Sequence, residues 1–544
     1  MASTGFFDKF GIPRLGIPRF GSLSLSSLGD RVPLRPPISP HPLVGIGAVL
    51  LGAFIVTLGG RVTTFGLNDL RGAVHAGVDE GAWITTANTV GQMLICAPTV
   101  WLGNVLGPRR VLLVATFVLM LSSLLLPAAT TLQSVLIMQF ISGVAMGTFL
   151  PLTISFVVRN LPPRYLIYGI AAYAMNLELS TNISASLEGF YLDHWSWKWI
   201  FWQNAVLAVL MWVAVYIGIP RRPVDRDAAR GVERFGMIYF SLAFSLFYAA
   251  LDQGNRLDWL NDGLICGLLL AGGLLFAAFI LQEMTCKTPW LDLRIFVRSN
   301  LGLLVIMLFF LRFSILSTSY IIPQYLTTVQ GYRALQVGDV LLLIALPQLL
   351  LAPLIGTALR VIDPRTTIAL GFTLIGYACF SVSSSLTVEW GSEDFMPSQI
   401  LQAIGQSLAL TSIVAYNLRL LRPQDALTFG TIIQSARLFG GEAGTSFIQT
   451  YVRVREQVHS HLLGLHVTGE SGVTFERLAQ YEDLVRGYSA GTVDAAKRAL
   501  LLLAHAVQAQ SYVLAYIDGF VVIGFGTIIC LGIVLFLHHA PAPR

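Results

Sequence analysis

The sequence predicts an all-α polytopic membrane protein, and three observations carry that prediction. Hydrophobic residues make up 55% of the 544 positions and charged residues only 12%, about half the charged share of an ordinary soluble domain. The mean hydropathy is +0.69. Stretches of about 20 mostly apolar residues, each long enough to cross roughly 30 Å of hydrocarbon, recur from residue 43 to residue 537. This composition excludes a soluble enzyme, a nucleic-acid binder and a disulfide scaffold. No nucleophile–base pair, nucleotide loop or metal constellation stands out, so neither an enzyme nor a cofactor is expected. Cys96, Cys266, Cys286, Cys379 and Cys530 are far apart and show no metal-ligand or disulfide spacing.

Residues 1–42 are rich in Pro, Gly, Ser and Arg and include a doubled Gly-Ile-Pro-Arg at 11–14 and 16–19. They read as a flexible cytoplasmic tail. Fourteen candidate spans follow, at 43–63, 82–102, 110–127, 132–158, 165–187, 200–219 and 235–251, then at 263–281, 300–322, 335–357, 366–386, 397–420, 427–450 and 509–537. An even number places both termini on one side. Basic residues collect on that side: Lys9 to Arg35 in the tail, then Arg109 and Arg110, Arg159 and Arg164, five arginines from Arg221 to Arg234, and Lys287, Arg294 and Arg298. Arg360, Arg365, Arg419 and Arg422 continue the pattern, whereas the short loops opposite hold only Arg61, Arg71, Lys198, Arg256 and Arg333. The bias makes both termini cytoplasmic. The long polar stretch 451–508 then lies outside, with Val452–Leu463 and Val493–Gln510 able to extend the last two spans beyond the membrane. A connection this long is the natural docking surface.

Several ordered motifs point to a family. His194-Trp195-Ser196-Trp197-Lys198-Trp199-Ile200-Phe201-Trp202-Gln203-Asn204 follows span 5, Leu251 to Trp259 (LDQGNRLDW) follows span 7, and Pro289-Trp290-Leu291-Asp292-Leu293 follows span 8. Arg455-Glu456-Gln457-Val458-His459 and Ala515-Tyr516-Ile517-Asp518-Gly519-Phe520 bracket the long outer stretch. In this order the motifs resemble the major facilitator superfamily, in particular its fourteen-span drug:proton antiporters of the EmrB and QacA type, and among those the EmrB-like inner-membrane components of Gram-negative bacteria. The resemblance implies a six-helix bundle at 43–219, a cytoplasmic linker and two inserted helices at 220–299, and a second six-helix bundle at 300–544. It implies multidrug-type efflux of amphipathic organic compounds across the inner membrane by alternating access. It further implies proton coupling, a periplasmic adaptor of the EmrA type and an outer-membrane channel of the TolC type.

The chain departs from that pattern where protons are usually handled. Span 1 reads Leu58-Gly59-Gly60-Arg61-Val62-Thr63-Thr64 and lacks the family's acid; Gln139 stands where span 4 carries an arginine; Asn104 replaces the acid of the loop after span 2, which keeps Gly107, Arg109 and Arg110 as its gating motif. Span 5 has Ser184 to Gly189 in place of the antiporter motif. Charges within spans are costly and mark function by default, which makes Glu178, Arg312, Arg437 and Glu442 the proton-coupling candidates. Arg437 and Glu442, five residues apart, are not expected to share a helix face. Glu178 is expected to meet Arg312 or Arg437 across the cavity, either as a replacement proton carrier or as a permanent ion pair locking the helices. Substrate-cavity candidates are Asn88, Gln92, Gln139, Asn182, Tyr320, Gln324, Gln402, Gln406 and Gln434, each equally able to serve as helix-packing glue. Asp252 and Asp258 read as loop-ordering acids, and His459, His461 and His466 as solvated. Two other functions stay open: export of a single endogenous metabolite, lipid or siderophore, and a transport-inactive membrane scaffold or sensor.

Overall fold

Proline and glycine set many of the helix boundaries. Pro42, Pro98, Pro108 and Pro364 each occupy the first turn of a helix, where a missing N–H costs nothing and the fixed φ is already helical. Asp262 and Asp363 cap the helices that follow them, accepting from the Leu264 and Arg365 backbone N–H groups at 2.8 and 3.0 Å. The computed structural model describes residues 41–225, 234–286, 289–291, 293, 300–420, 426–488 and 492–538. The expected tail through residue 40 and the side chains of Arg226, Arg230, Lys287, Asp292, Arg294, Arg298, Arg422 and Arg544 lie outside the described residues.

The first half comprises α1 (Pro42–Phe65), two short helices α2 (Leu67–Ala73) and α3 (Val78–Gly81), then α4 (Trp83–Cys96), α5 (Pro98–Val105), α6 (Pro108–Leu125), α7 (Leu132–Gly147), α8 (Phe149–Asn160), α9 (Pro163–His194) and α10 (Trp199–Gly218). α11 (Phe235–Gly254) and α12 (Gly263–Thr285) follow as a pair. The second half comprises α13 (Leu301–Ser314), a π-helical turn (Ser317–Ile321), α14 (Ile322–Thr328), α15 (Ala334–Val361), α16 (Pro364–Ser385), α17 (Met396–Leu420), α18 (Ala426–Gly464), α19 (Gly472–Val485) and α20 (Thr492–Leu535).

Ten of these helical segments are long and apolar enough to cross a membrane. The other long helical stretches, α4 with α5, α9, α17 and α18, are interrupted or too polar to meet that standard. Their polar residues are largely inside the protein: Asn88 and Gln92, Glu178 and Asn182, Gln402 and Gln406, and Gln434 and Arg437 are all buried. Side chains facing outward are apolar instead, among them Val114, Phe117, Leu270, Leu274, Leu350 and Phe525. That inversion is what a hydrocarbon surrounding selects.

α1 packs on α8, α9 and α10, and α4 on α7; in the second half α17 packs on α15 and α16, and α20 on α16 and α18. The halves meet chiefly through α9 along α15, through α8 against α18, and through α9 against α17. Small residues permit the close approach: a Cβ on Gly189 or Gly338 would come within 2.7 Å of the backbone of the facing helix. The α11–α12 pair stands beside α4 and α18, with α11 inward. α12 is 17% buried over its apolar stretch, so it lies at the periphery. Trp290 anchors the chain after α12 by packing against Phe240 and Phe279, and Glu283 accepts the Leu291 N–H at 3.2 Å.

The expected extensions of the last two spans are present. α18 continues to Gly464 and α20 starts at Thr492, with α19 packed against α20. Arg455 Nε and His459 Nε2 of α18 both reach Asp518 Oδ2 of α20, at 2.5 and 2.7 Å. The expectation that His459 is solvated is therefore corrected: an acid from the neighbouring helix holds it, and its side chain is 16% exposed.

Candidate functional site

A cavity of about 250 Å³ lies between α1, α4 and α11 on one flank and α13, the π-turn and α18 on the other. Thr57, Arg61, Asn88, Gln92, Tyr248 and Asp252 line the first flank; Arg312, Ser319, Arg437 and Glu442 line the second. Helical spacing explains the convergence. Thr57 and Arg61, Asn88 and Gln92, and Tyr248 and Asp252 are i,i+4 pairs, so each shares one helix face.

Glu178 of α9 is 1% exposed, and its Oε1 stands 3.9 Å from Arg312 Nη1 of α13. Its Oε2 and the Arg312 Nε are buried without hydrogen-bond partners. Arg437 donates from Nε to Gln434 Oε1 and from Nη1 to Thr57 Oγ1, both at 3.3 Å. Arg61 donates from Nη2 to the Ser319 carbonyl at 3.2 Å. Asp252 accepts from the Thr86 hydroxyl and from Gln253 Nε2 at 3.1 Å. Glu442 lies in hydrogen-bonding contact with Tyr248 and Asp252. Three guanidinium groups and three carboxyl groups are thus gathered around one space, contributed by both halves and by α11.

Of the residues singled out from sequence, Asn88, Gln92, Arg312, Arg437 and Glu442 line the cavity. Arg437 and Glu442 do so together although they point about 140° apart, because α18 passes the cavity with both flanks of its inner face exposed to it. Glu178 sits one layer behind Arg312. Most of the other candidates bind helices to one another. Gln139 accepts from Asn88 Nδ2 at 3.1 Å and so joins α7 to α4. Asn182 Nδ2 donates to Gln348 Oε1 at 3.2 Å across the α9–α15 interface. Gln402 and Gln406 donate to the Ser317 and Thr318 hydroxyls, each at 3.1 Å, and hold the π-turn from behind. Gln434 supports Arg437. Tyr320 and Gln324 are not among the cavity's lining residues; Gln324 accepts from Thr327 at 3.4 Å.

Two residues of the site were read from sequence as loop residues. The charge count puts Arg61 with the outer loops, yet it lies on α1, which runs to Phe65, and it lines the cavity. Asp252 was read as a loop acid, yet α11 runs to Gly254. The signal in both cases was the i,i+4 partner already named.

The loop that carries Gly107, Arg109 and Arg110 makes a sharp turn. Gly107 has φ +82°, a region that costs other residues energy, and it turns the chain into α6. Arg109 Nη2 donates to the Tyr216 carbonyl at 2.7 Å with its guanidinium 4.8 Å from that ring, while Arg110 is exposed. Near this loop the halves touch. A Cβ on Gly103 would meet Leu427 at 2.8 Å and Leu152 at 3.0 Å, and one on Gly430 would meet the Pro151 backbone at 2.9 Å. Thr431 Oγ1 donates to the Cys96 carbonyl at 3.2 Å. The cavity is therefore shut on the face where α1 begins.

The sequence pattern of the Major Facilitator Superfamily matches residues 49–445. The chain is 26% identical over 452 residues to a multidrug export protein, EmrB, of Haemophilus influenzae, covering 81% of this chain and 86% of that one. It is 24% identical over 438 residues to a probable multidrug resistance protein, EmrY, of Escherichia coli, covering 77% and 83%. Among solved structures, the human organic anion transporter MFSD10 shares the fold with a TM-score of 0.53 at 13% identity, over 90% of this chain and 100% of that one. With the family pattern spanning most of its length, and with two helical halves closing on a charged central cavity, this multi-pass membrane protein belongs to the Major Facilitator Superfamily.

Proposed function

We propose that the protein is a secondary active exporter of amphipathic organic compounds that works by alternating access in a bacterial inner membrane, with both termini cytoplasmic. The observation that carries this reading is the cavity itself. It draws Arg61 and Asp252 from one flank and Arg312, Arg437 and Glu442 from the other, and Leu427, Gly430 and Thr431 close the halves together on the face where α1 begins. A site lined by two halves and closed at one end is what alternating access requires. The relatives named for multidrug export support the direction and the breadth of cargo.

Proton coupling is assigned to Glu178. Its carboxylate faces Arg312 across the two halves, so any rocking that parts the halves changes the charge beside it, and a carboxyl's proton affinity follows such a change. The α18–α20 extension, tied by Asp518, is the surface for a periplasmic adaptor of the EmrA type feeding a channel of the TolC type. The test is efflux of fluorescent amphiphiles from cells lacking other pumps, with and without a protonophore, for the wild type and Glu178→Gln. Efflux lost by both treatments is expected. Efflux that survives Glu178→Gln with full protonophore sensitivity would move the proton site elsewhere, and no efflux of any compound would overturn the broad exporter.

A further inference from the structure

We infer that the cavity takes the anionic head group of its cargo between Arg61 and Arg437, so that the cargo class is amphipathic organic acids. This rests on the reading of the cavity as the cargo site and deepens it. A guanidinium group inside a membrane protein is expensive and ordinarily has a carboxylate beside it. Arg312 has Glu178. Arg61 and Arg437 have no carboxylate within ion-pair distance among the described residues. Their partners are neutral: the Ser319 carbonyl for Arg61, and Gln434 and Thr57 for Arg437.

The carboxyl groups that could balance them are engaged elsewhere. Glu178 faces Arg312. Asp252 accepts from Thr86 and Gln253, and Glu442 is turned to Asp252 and Tyr248 on the α11 side. Arg61, half-buried on α1, and Arg437, buried on α18, therefore come from opposite halves to one cavity, and each makes its own hydrogen bonds to neutral acceptors alone. The Arg61 Nε is buried with no hydrogen-bond partner at all, an open donor on the planar fork that suits a carboxylate or sulfonate. Val56, Leu316 and Leu438 supply apolar wall for the rest of the molecule. An anion there would meet both guanidinium groups at once and would join the halves through itself.

The test is titration calorimetry on the full-length protein in zwitterionic nanodiscs, using three probes that share a ring system: 1-naphthylacetate, 1-naphthylethanol and 1-naphthylethylammonium. The carboxylate is expected to bind at least tenfold tighter than the alcohol, and the ammonium weakest. Arg61→Gln and Arg437→Gln should each weaken the carboxylate at least tenfold and leave the alcohol within twofold, with Arg61→Lys and Arg437→Lys recovering part of the loss. An ammonium probe that binds as tightly as the carboxylate would overturn the inference on the wild type alone, whether or not any variant folds. So would Gln variants that lose both probes equally, or inorganic phosphate that displaces naphthylacetate at equal concentration. Because binding is read without transport, selective binding with no efflux would remove the exporter and keep the anion site. Efflux of cations and neutral compounds without carboxylate preference would do the reverse.

Discussion

Arg61 on α1 and Ser319 in the π-turn, 258 residues apart, are joined by one hydrogen bond from the guanidinium to the carbonyl at 3.2 Å. A π-turn shifts the backbone bonding by one residue and leaves a carbonyl free to turn outward. Here that carbonyl becomes the acceptor through which the second half holds the first. The contact lies in the cavity wall, whereas Cys96, Thr431 and Ser435 join α4 to α18 on the face where α1 begins. On the proposed alternating access, the Cys96, Thr431 and Ser435 contacts must break.

That requirement gives a direct test. Ser435 Oγ lies 3.7 Å from the Sγ of Cys96, the former on α18 and the latter on α4. Ser435→Cys would put two thiols at a separation that a disulfide can close with small adjustment. Oxidation is expected to cross-link the halves and reduce transport at least tenfold, with recovery on adding reductant. An oxidised, cross-linked protein that still transports at full rate would mean that this face does not open.

The Glu178–Arg312 pair is long at 3.9 Å, and Arg312 keeps 18% of its side chain exposed. Removing one partner leaves a charge buried without compensation, which costs about 3 kcal/mol at the low end of the range for such pairs. Glu178→Gln should therefore lower thermal stability, and adding Arg312→Gln should restore part of it, giving a coupling energy on the order of 1–3 kcal/mol in the double-mutant cycle. Additive losses in thermal unfolding would show that the two groups do not interact.

Ten helices were legible because each is a long apolar run, and a run of that length has one physical meaning. The site was legible only in part. Glu178, Arg312, Arg437 and Glu442 announced themselves as charges within spans, where each is costly. Arg61 and Asp252 sit near span ends, where a charge costs little; hydropathy ends the seventh span one residue before Asp252, and Arg61, inside the first span, counts among the outer-loop charges. Counting by fours from Thr57 and Tyr248 recovers both. Gln402 and Gln406 misled for another reason: they share a helix face, but that face looks into the second half, toward the π-turn. Which way a polar face points depends on helix packing, and that is not written in the local pattern.

Close packing of α4 on α7 sets a stability prediction. A Cβ on Gly143 would come within 1.9 Å of the Asn88 carbonyl oxygen, and one on Gly91 within 2.5 Å of the Phe140 carbonyl oxygen. Both neighbours are backbone, so relief requires moving a helix. Gly143→Ala should cost about 1–3 kcal/mol or more, as overpacking does, and should also disturb the Asn88–Gln139 bond. Gly47, with nothing within 4 Å of its would-be Cβ, is the control, and Gly47→Ala should be neutral or stabilising by about 0.5–1 kcal/mol. Equal melting temperatures for the two variants would contradict the packing.

An anionic cargo has an electrical consequence. A monoanion leaving the cell while one proton enters moves two positive charges inward, whereas a neutral cargo moves one and a monovalent cation none. Each charge across 100 mV is worth about 2.3 kcal/mol, and about 1.4 kcal/mol is a factor of ten. In proteoliposomes with a potassium-diffusion potential, 100 mV should therefore raise the limiting gradient of naphthylacetate by roughly three orders of magnitude. The naphthylethanol gradient should rise about fiftyfold. Glu178→Gln, if it still moves cargo, should bring naphthylacetate down to about the fiftyfold response, because only the anion's own charge then crosses. A naphthylacetate gradient indifferent to the potential would be incompatible with export of the anion in exchange for a proton.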